Sequence, residues 1–303
     1  MVLTVVVPVH NEEPNIAELV ARIVAAQQKL EDSRIVVLFV DDGSTDGTVK
    51  VINELILKRP DQIGLIKFDR NYGHQSALLA GIMNASGDVV ITMDGDLQHP
   101  PECIPAMMNA MQPGVDVVQM VRQGVPTSFV SIISKLYHRL LNIIEGRVVI
   151  YDGADFRLMS ANVIQVLRAI PERGKFIRGL LPTLGFSIVE LEFRQAPRFK
   201  GTASYNLRQL FHLGTAPVFK YSTVLVKLMA CVGILFSAGS ACFGIFFGLQ
   251  QPSYILIASV LFLFGINFLF LAVIGKLIME AISQLHQHPE YTIESIRLPS
   301  HSN

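Results

Sequence analysis

Two apolar runs near the end of the chain, Val224 to Leu249 and Tyr254 to Gly275, are separated only by Gln250, Gln251, Pro252 and Ser253. As helices they measure about 39 and 33 Å, enough to cross a hydrocarbon core of about 30 Å. A helix apolar on every side is stable in water only under a covering layer of protein, so the alternative is a helix pair sunk in a large soluble core. The charge pattern favours the membrane. Lys227 alone interrupts the first run, near its start, where its stem can reach back to the interface. Arg208, Lys220, Lys227, Lys276 and Arg297 flank the outer ends, and the connecting loop is uncharged. The positive-inside rule then places both termini in the cytoplasm. Met1 leads directly into the strand-like run Leu3 to Val7, without a signal-peptide pattern, so the N-terminal part is expected to stay cytosolic at the cytoplasmic (inner) membrane.

Composition removes several classes of function. Equal counts of basic and acidic residues, 25 each, exclude a strongly basic nucleic-acid binder, so no nucleic-acid partner is expected. Cys103, Cys231 and Cys242 have neither metal-ligand spacing nor an even count for a disulfide framework, and read as small apolar fillers.

Ahead of the apolar runs, Leu3–Val7, Ile35–Val40, Ile63–Phe68 and Val89–Met93 read as strands without polar alternation, as expected where helices cover both faces of a parallel sheet. Asn15–Leu30, Thr48–Leu57 and Gln75–Ala85 carry helical periodicity. This order predicts an α/β, doubly wound, mostly parallel sheet with ligands at the carboxyl ends of its strands. The acidic residues concentrate there. The second strand ends in Asp41-Asp42-Gly43-Ser44-Thr45-Asp46 and the fourth in Asp94-Gly95-Asp96-Leu97-Gln98. Asp94 and Asp96 at the mouth of a buried strand can direct oxygens to one divalent cation, with Gln98 as a further oxygen ligand; Mg²⁺ or Mn²⁺ prefers this set and often shares it with substrate phosphates. The plainer readings are an Asx turn closing the fourth strand and a helix N-cap after the second. The turn after the first strand, Pro8-Val9-His10-Asn11-Glu12-Glu13, lacks glycine, and no phosphate-binding P-loop occurs, which argues against NAD and ATP.

Three motifs in order, Val7-Pro8-Val9-His10-Asn11-Glu12-Glu13, Val40-Asp41-Asp42-Gly43-Ser44-Thr45-Asp46 and Asp94-Gly95-Asp96-Leu97-Gln98-His99-Pro100-Pro101-Glu102, resemble the family 2 inverting glycosyltransferases of GT-A fold. Within that family the chain is similar to the polyprenyl-phosphate glycosyltransferases, the group of bactoprenol glucosyltransferases and dolichol-phosphate mannose synthases. The resemblance implies that Pro8, Asn11, Glu12, Asp41, Asp42 and Asp94 bind the nucleotide sugar, while Asp94, Asp96 and Gln98 hold Mg²⁺ or Mn²⁺ on its diphosphate. Asp152-Gly153-Ala154-Asp155-Phe156-Arg157-Leu158 is similar to the family's Gly-Asp-Phe-Arg segment near the acceptor, which makes Asp155 a catalytic candidate. Arg198-Phe199-Lys200-Gly201-Thr202-Ala203-Ser204-Tyr205 resembles the family's Arg-x-x-Gly-x-Ser-Lys-Tyr loop, with Ser204 where many relatives carry lysine. Arg198 and Lys200 are then expected to hold two anionic substrates together.

What the resemblance implies is a membrane-anchored transferase moving a sugar, glucose from UDP-glucose first, to a polyprenyl (undecaprenyl) phosphate. GDP-mannose or a modified UDP-sugar is the alternative donor. A homo-oligomer, a tetramer among its forms, is expected. Functions of a different class are a non-catalytic, membrane-tethered nucleotide-sugar-binding module and a small transporter subunit. The expected organisation is a catalytic domain over 1–204, a juxtamembrane amphipathic segment over 205–223, a transmembrane helix hairpin over 224–275 and a cytosolic tail over 276–303. Phe129, Ile132, Ile133, Leu136, Leu140 and Ile144 recur at helical spacing and form an interfacial-helix candidate, as does Tyr205 to Phe219. Ser240, Gly244 and Gly248 form a small-residue stripe, and Asn267 is placed to hydrogen-bond across helices. Topology is directly measurable: a cysteine at Ser253 should be labelled by an impermeant reagent from outside the cytoplasmic membrane, and one at Ser300 should not. The opposite pattern would overturn the orientation.

Overall fold

The computed structural model describes residues 1–30, 33–123, 153–170, 177–195, 224–248, 251–285 and 291–299. Asp152, Arg198, Lys200, the interfacial-helix candidates and the juxtamembrane segment lie outside them. Contacts divide the chain into two units, one holding the N-terminal part and residues 289–303, the other holding the long apolar helices.

In the first unit eight strands form one mixed sheet. They are β1 (Val2–Val9), β2 (Arg34–Asp41), β3 (Ile63–Phe68), β4 (Val89–Thr92), β5 (Val117–Arg122), β6 (Gly153–Ser160), β7 (Ile188–Phe193) and β8 (Ile293–Arg297), in the order β7-β5-β6-β4-β1-β2-β3-β8. Pairing is parallel from β3 through β2 and β1 to β4 and again between β5 and β7; β6 and β8 run against their neighbours. The expected parallel centre is present, extended by strands that the alternation of the first ninety or so residues could not reveal.

Helices cover both faces. Leu3, Val5, Val7 and Val9 of β1 pack with Ile16, Leu19 and Ile23 of α1 (Glu13–Gln27), Ile52 of α2 (Thr48–Lys58), and Ile104 and Met107 of α4 (Ile104–Ala110). Val6 points the other way, to Ala77, Leu78 and Ile82 of α3 (His74–Asn84) and Val163 and Leu167 of α5 (Ala161–Ala169). The two-residue period of a strand thus divides one apolar run between two cores. Pro8 sits in this central strand without breaking it. Its neighbours show why: Val6 O accepts from Met93 N–H on the β4 side and Val9 O from Asp42 N–H on the β2 side, so Pro8 faces beyond the point where β4 pairing ends at Val6. Its missing N–H belongs to the mouth of the site, not to the ladder.

The second unit is a pair of helices, α7 (Val224–Gly248) and α8 (Pro252–Leu285), after the single turn α6 (Ile177–Leu180) of the first unit. Of the apolar windows Met229–Phe247 and Ser253–Ile278 only 11% and 17% of residues are buried, which rejects the sunken core hairpin and leaves two helices that could span a membrane. The helices approach closely through small residues: a Cβ on Gly265 would lie 2.8 Å from Ser237 N and 2.9 Å from Gly233 O, and one on Gly244 would lie 2.9 Å from Ala258 Cβ. Of the expected small-residue stripe, Gly244 is used within the hairpin. Asn267 does not bond across helices in this pair; its Nδ2 donates to Leu263 O of its own helix. Two expectations change at the C-terminus. Helix α8 continues past Gly275 to Leu285, because loss of apolar character at Lys276 and Glu280 does not end a run of good helix formers, and the tail contributes strand β8.

Close packing of α3 on the sheet gives a stability prediction. A Cβ on Gly81 would collide with Val6 Cγ1 and lie 3.0 Å from Val40 Cγ2. Gly81→Ala should cost about 1–3 kcal/mol through overpacking, lowering Tm by several degrees in a thermal melt of the purified protein. An unchanged Tm would mean that helix and sheet part freely here.

Candidate active site

Four loops meet at the carboxyl ends of β1 to β4, and Asp42 joins three of them. Its carboxylate accepts from Tyr72 N–H at 2.6 Å and Gly73 N–H at 2.9 Å, and its carbonyl lies 2.8 Å from His10 Nδ1. Gly43, with φ +68°, follows immediately, and any Cβ there would fall 2.6 Å from Asn71 N, so glycine is required for the β2 end to lie against the β3–α3 loop. Burial pushes the Asp42 carboxyl up, opposed by the two N–H groups; Asp41 is pushed up likewise, opposed by Ser44.

Asn11 stitches the first loop to the second. Its N–H donates to Ser44 Oγ at 2.9 Å, and its Oδ1 accepts from Thr45 N–H at 2.8 Å and Asp46 N–H at 3.3 Å. It adopts φ +56°, which asparagine tolerates better than most residues. Glu12 N–H donates to Thr48 Oγ1 at 2.9 Å, and Glu12 Oε2 accepts from Asn15. Among the expected nucleotide-binding residues, Asn11, Asp41 and Asp42 thus join these loops, and the N-cap reading of 41–44 is corrected: α2 is capped at Gly47 without a side-chain hydrogen bond, and Thr48 N–H donates to Asp46 Oδ1.

The Asp94-Gly95-Asp96 turn crosses the end of β1, where a Cβ on Gly95 would lie 2.9 Å from Val9 Cγ1. Leu97, fully buried at φ +65°, anchors it in a conformation a branched side chain rarely adopts. Asp94 N–H donates to His99 Nδ1 at 2.9 Å, which leaves the His99 proton on Nε2, 3.4 Å from Asp94 Oδ2. His99 is buried and stacked on Phe156 at 5.1 Å; burial pushes its pKa down and keeps it neutral.

Asp155 comes from β6, which lies beside β4. Arg157 Nη2 donates to its Oδ1 at 2.9 Å and Gln75 Nε2 to its Oδ2 at 2.9 Å. His74, the first residue of α3, brings Nε2 to 3.4 Å from Asp155 Oδ2 and 3.6 Å from Asp94 Oδ1. One imidazole thus stands between the two acidic motifs.

Among the described residues, no three His, Cys, Asp or Glu side chains converge to complete a metal cage. The donor set fits a hard cation shared with phosphates all the same. Asp94 Oδ1 is buried without a hydrogen bond, which leaves a carboxylate oxygen available, and Asp96, also buried, stands two residues away. Gln98 Oε1 accepts from Gln195 Nε2, so one of its two lone pairs is already engaged.

A profile of Glycosyl transferase family 2 matches residues 4–167, and the chain belongs to this family. It is 30% identical to the prophage bactoprenol glucosyl transferase homolog of Escherichia coli K12, over 98% of this chain and 100% of that one. It is 31% identical to the bactoprenol glucosyl transferase of Shigella phage SfV, over 97% of this chain and 99% of that one. Among solved structures, mannosyl-3-phosphoglycerate synthase from Rubrobacter xylanophilus superposes with a TM-score of 0.51 at 18% identity, over 72% of each chain. Glucosyl-3-phosphoglycerate synthase from Mycobacterium tuberculosis, crystallised with Mn²⁺, UDP and phosphoglyceric acid, gives 0.50 at 18% identity over 75% and 78%. These likenesses define the GT-A-like sheet.

Sequence reasoning passed over His74, Gln75 and His99. The first two follow the third strand, whose carboxyl end carries no acidic pair to mark it; His99 lies three residues after the Asp-x-Asp pair. Replacing Asp42 tests the junction: Asp42→Asn presents an amide donor to an N–H donor and should cost about 1–3 kcal/mol of stability, read as a fall in Tm. An unaltered melt would show that the loops hold without it.

Proposed function

We propose that this glycosyltransferase transfers a hexose from a nucleotide sugar to a polyprenyl phosphate at the membrane, with inversion at the anomeric carbon. The single observation that carries the reading is the convergence of Asp94, from the Asp-x-Asp turn, with Asp155 about His74 at the carboxyl end of the sheet, in a chain that also carries two helices long and apolar enough to span. The bactoprenol names of the full-length relatives support the acceptor and favour glucose. UDP-glucose is the first donor, and GDP-mannose or a modified UDP-sugar the alternative.

The wall built by Pro8, Asn11, Glu12, Asp41 and Asp42 takes the nucleoside. Asp94 and Asp96, with the remaining capacity of Gln98, hold Mg²⁺ or Mn²⁺. Held there, such a cation would supply positive charge against the departing diphosphate, an effect worth several kcal/mol. Asp155, kept in place by Arg157 and Gln75, faces the acceptor side. A phosphate monoester has a second pKa of about 6, so the acceptor is already anionic at neutral pH. Asp155 therefore orients the nucleophile or takes a residual proton, with no strong base required. Arg198 and Lys200 supply positive charge between the two anionic substrates.

Two crossings return the chain to the side it left, as a sheet containing both β1 and β8 requires. The basic flanks put that side in the cytosol, where nucleotide sugars are made. Purified protein in detergent, given undecaprenyl phosphate and a panel of labelled sugar nucleotides, should form a glycosyl phospholipid. Asp96→Asn should lower kcat about a hundredfold or more with the fold intact, and a chelator should do the same. No transfer from any donor would leave a binding module, and full activity in excess chelator would remove the metal.

A further inference from the structure

The tail after the second long helix does more than close the sheet. Strand β8 pairs antiparallel with β3, with Leu65 opposite Arg297 and Phe68 opposite Ile293, and the register shifts between Lys67 and Phe68. Gly64 is fitted to this neighbour, since a Cβ there would lie 2.7 Å from Pro299 Cδ and 2.9 Å from Arg297 O. The residues just before β8 reach the loop that follows β3. Tyr291 stacks on the buried Phe68 ring at 4.9 Å, Tyr72 Oη lies 3.1 Å from Thr292 Oγ1, and Asp69 N–H donates to Thr292 O at 3.4 Å. That loop is the one whose Tyr72 and Gly73 N–H groups grip Asp42, and it ends in His74, the residue between Asp94 and Asp155.

We infer that Tyr291 and Thr292 are positioning residues for the nucleoside pocket: by pinning the β3–α3 loop they set the geometry of Asp42, so that the donor site is complete only when the chain has passed through the hairpin and returned. The inference rests on the transferase reading for the identity of the ligand, but not for the coupling of tail to loop. Neither residue touches the reacting atoms. Their loss should therefore appear in donor affinity and spare the chemical step.

The test uses the full-length protein in detergent, with UDP and GDP titrated calorimetrically in the presence of Mn²⁺ and amide hydrogen exchange followed at residues 70–75. Tyr291→Ala combined with Thr292→Val should raise the Kd of whichever diphosphate binds, and the donor KM, by about five- to twentyfold, with kcat and the acceptor KM unchanged. Exchange at Tyr72 and Gly73 should quicken in parallel. Tyr291→Phe with Thr292→Ser, which keeps the ring stack and the hydroxyl, should restore both. Unchanged affinity and unchanged exchange in the folded double variant would overturn the inference, as would a fall in kcat equal to the loss in affinity. If the wild-type protein binds neither diphosphate, the transferase reading fails; the exchange rates still decide whether the tail orders the loop.

Discussion

Everything at the carboxyl end of the sheet depends on one buried carboxylate meeting two backbone N–H groups. Asp42 is 3% exposed, and water is replaced around it by Tyr72 N–H, Gly73 N–H and the ring of His10 on its carbonyl. A carboxylate removed from water without partners is costly, and one that accepts two amide hydrogens is tolerable. The same hydrogens would otherwise be unpaired at the start of α3. Two local deficits cancel, and the outcome is that the ends of β1, β2 and β3 are held in one arrangement before any substrate arrives.

Around this junction the chain accepts local strain. Asn11 and Leu97 have left-handed backbone conformations, and each lies in a loop that the proposed function gives to the donor or the metal. Leu97 is costlier than asparagine in this region, and burial of its side chain supplies the compensation. His99 has a comparable part. A neutral imidazole, stacked on Phe156 and edge-on to Phe193, accepts the Asp94 N–H, so the turn carrying the acidic pair is fixed from behind by an aromatic layer. Preorganisation of this kind is what electrostatic catalysis needs, because groups that are already oriented require no rearrangement as charge develops.

Much of this was legible from residues alone, for definable reasons. Continuous runs such as Leu3–Val7 and Ile63–Phe68 announce strands covered on both faces, and Asp94 and Asp96 announce themselves by standing at the end of one. The contact of His74 with Asp94 and Asp155 was hidden because it joins three segments far apart in sequence, and no periodicity encodes it. β8 was hidden for a related reason. Ile293–Arg297 is short, lies after a membrane-like helix and pairs with a strand near the other end of the chain. Pro8 shows the reverse case: its residue type argues against a central strand, and only the register at the end of β4 explains why it fits.

The late return of β8 bears on how the protein is made. Synthesis runs from the N-terminus, so β3 exists with an unpaired edge through the whole production of the hairpin, and pairing of Leu65 with Arg297 waits until β8 has left the ribosome. An open, apolar edge is a template for association with other chains. Lys67 in that edge, bonded to Glu294 at 2.9 Å once folding is complete, is the kind of inward charge that discourages such pairing in the meantime. A contact so distant in sequence closes slowly, and the nascent chain is therefore vulnerable to aggregation until β8 is released.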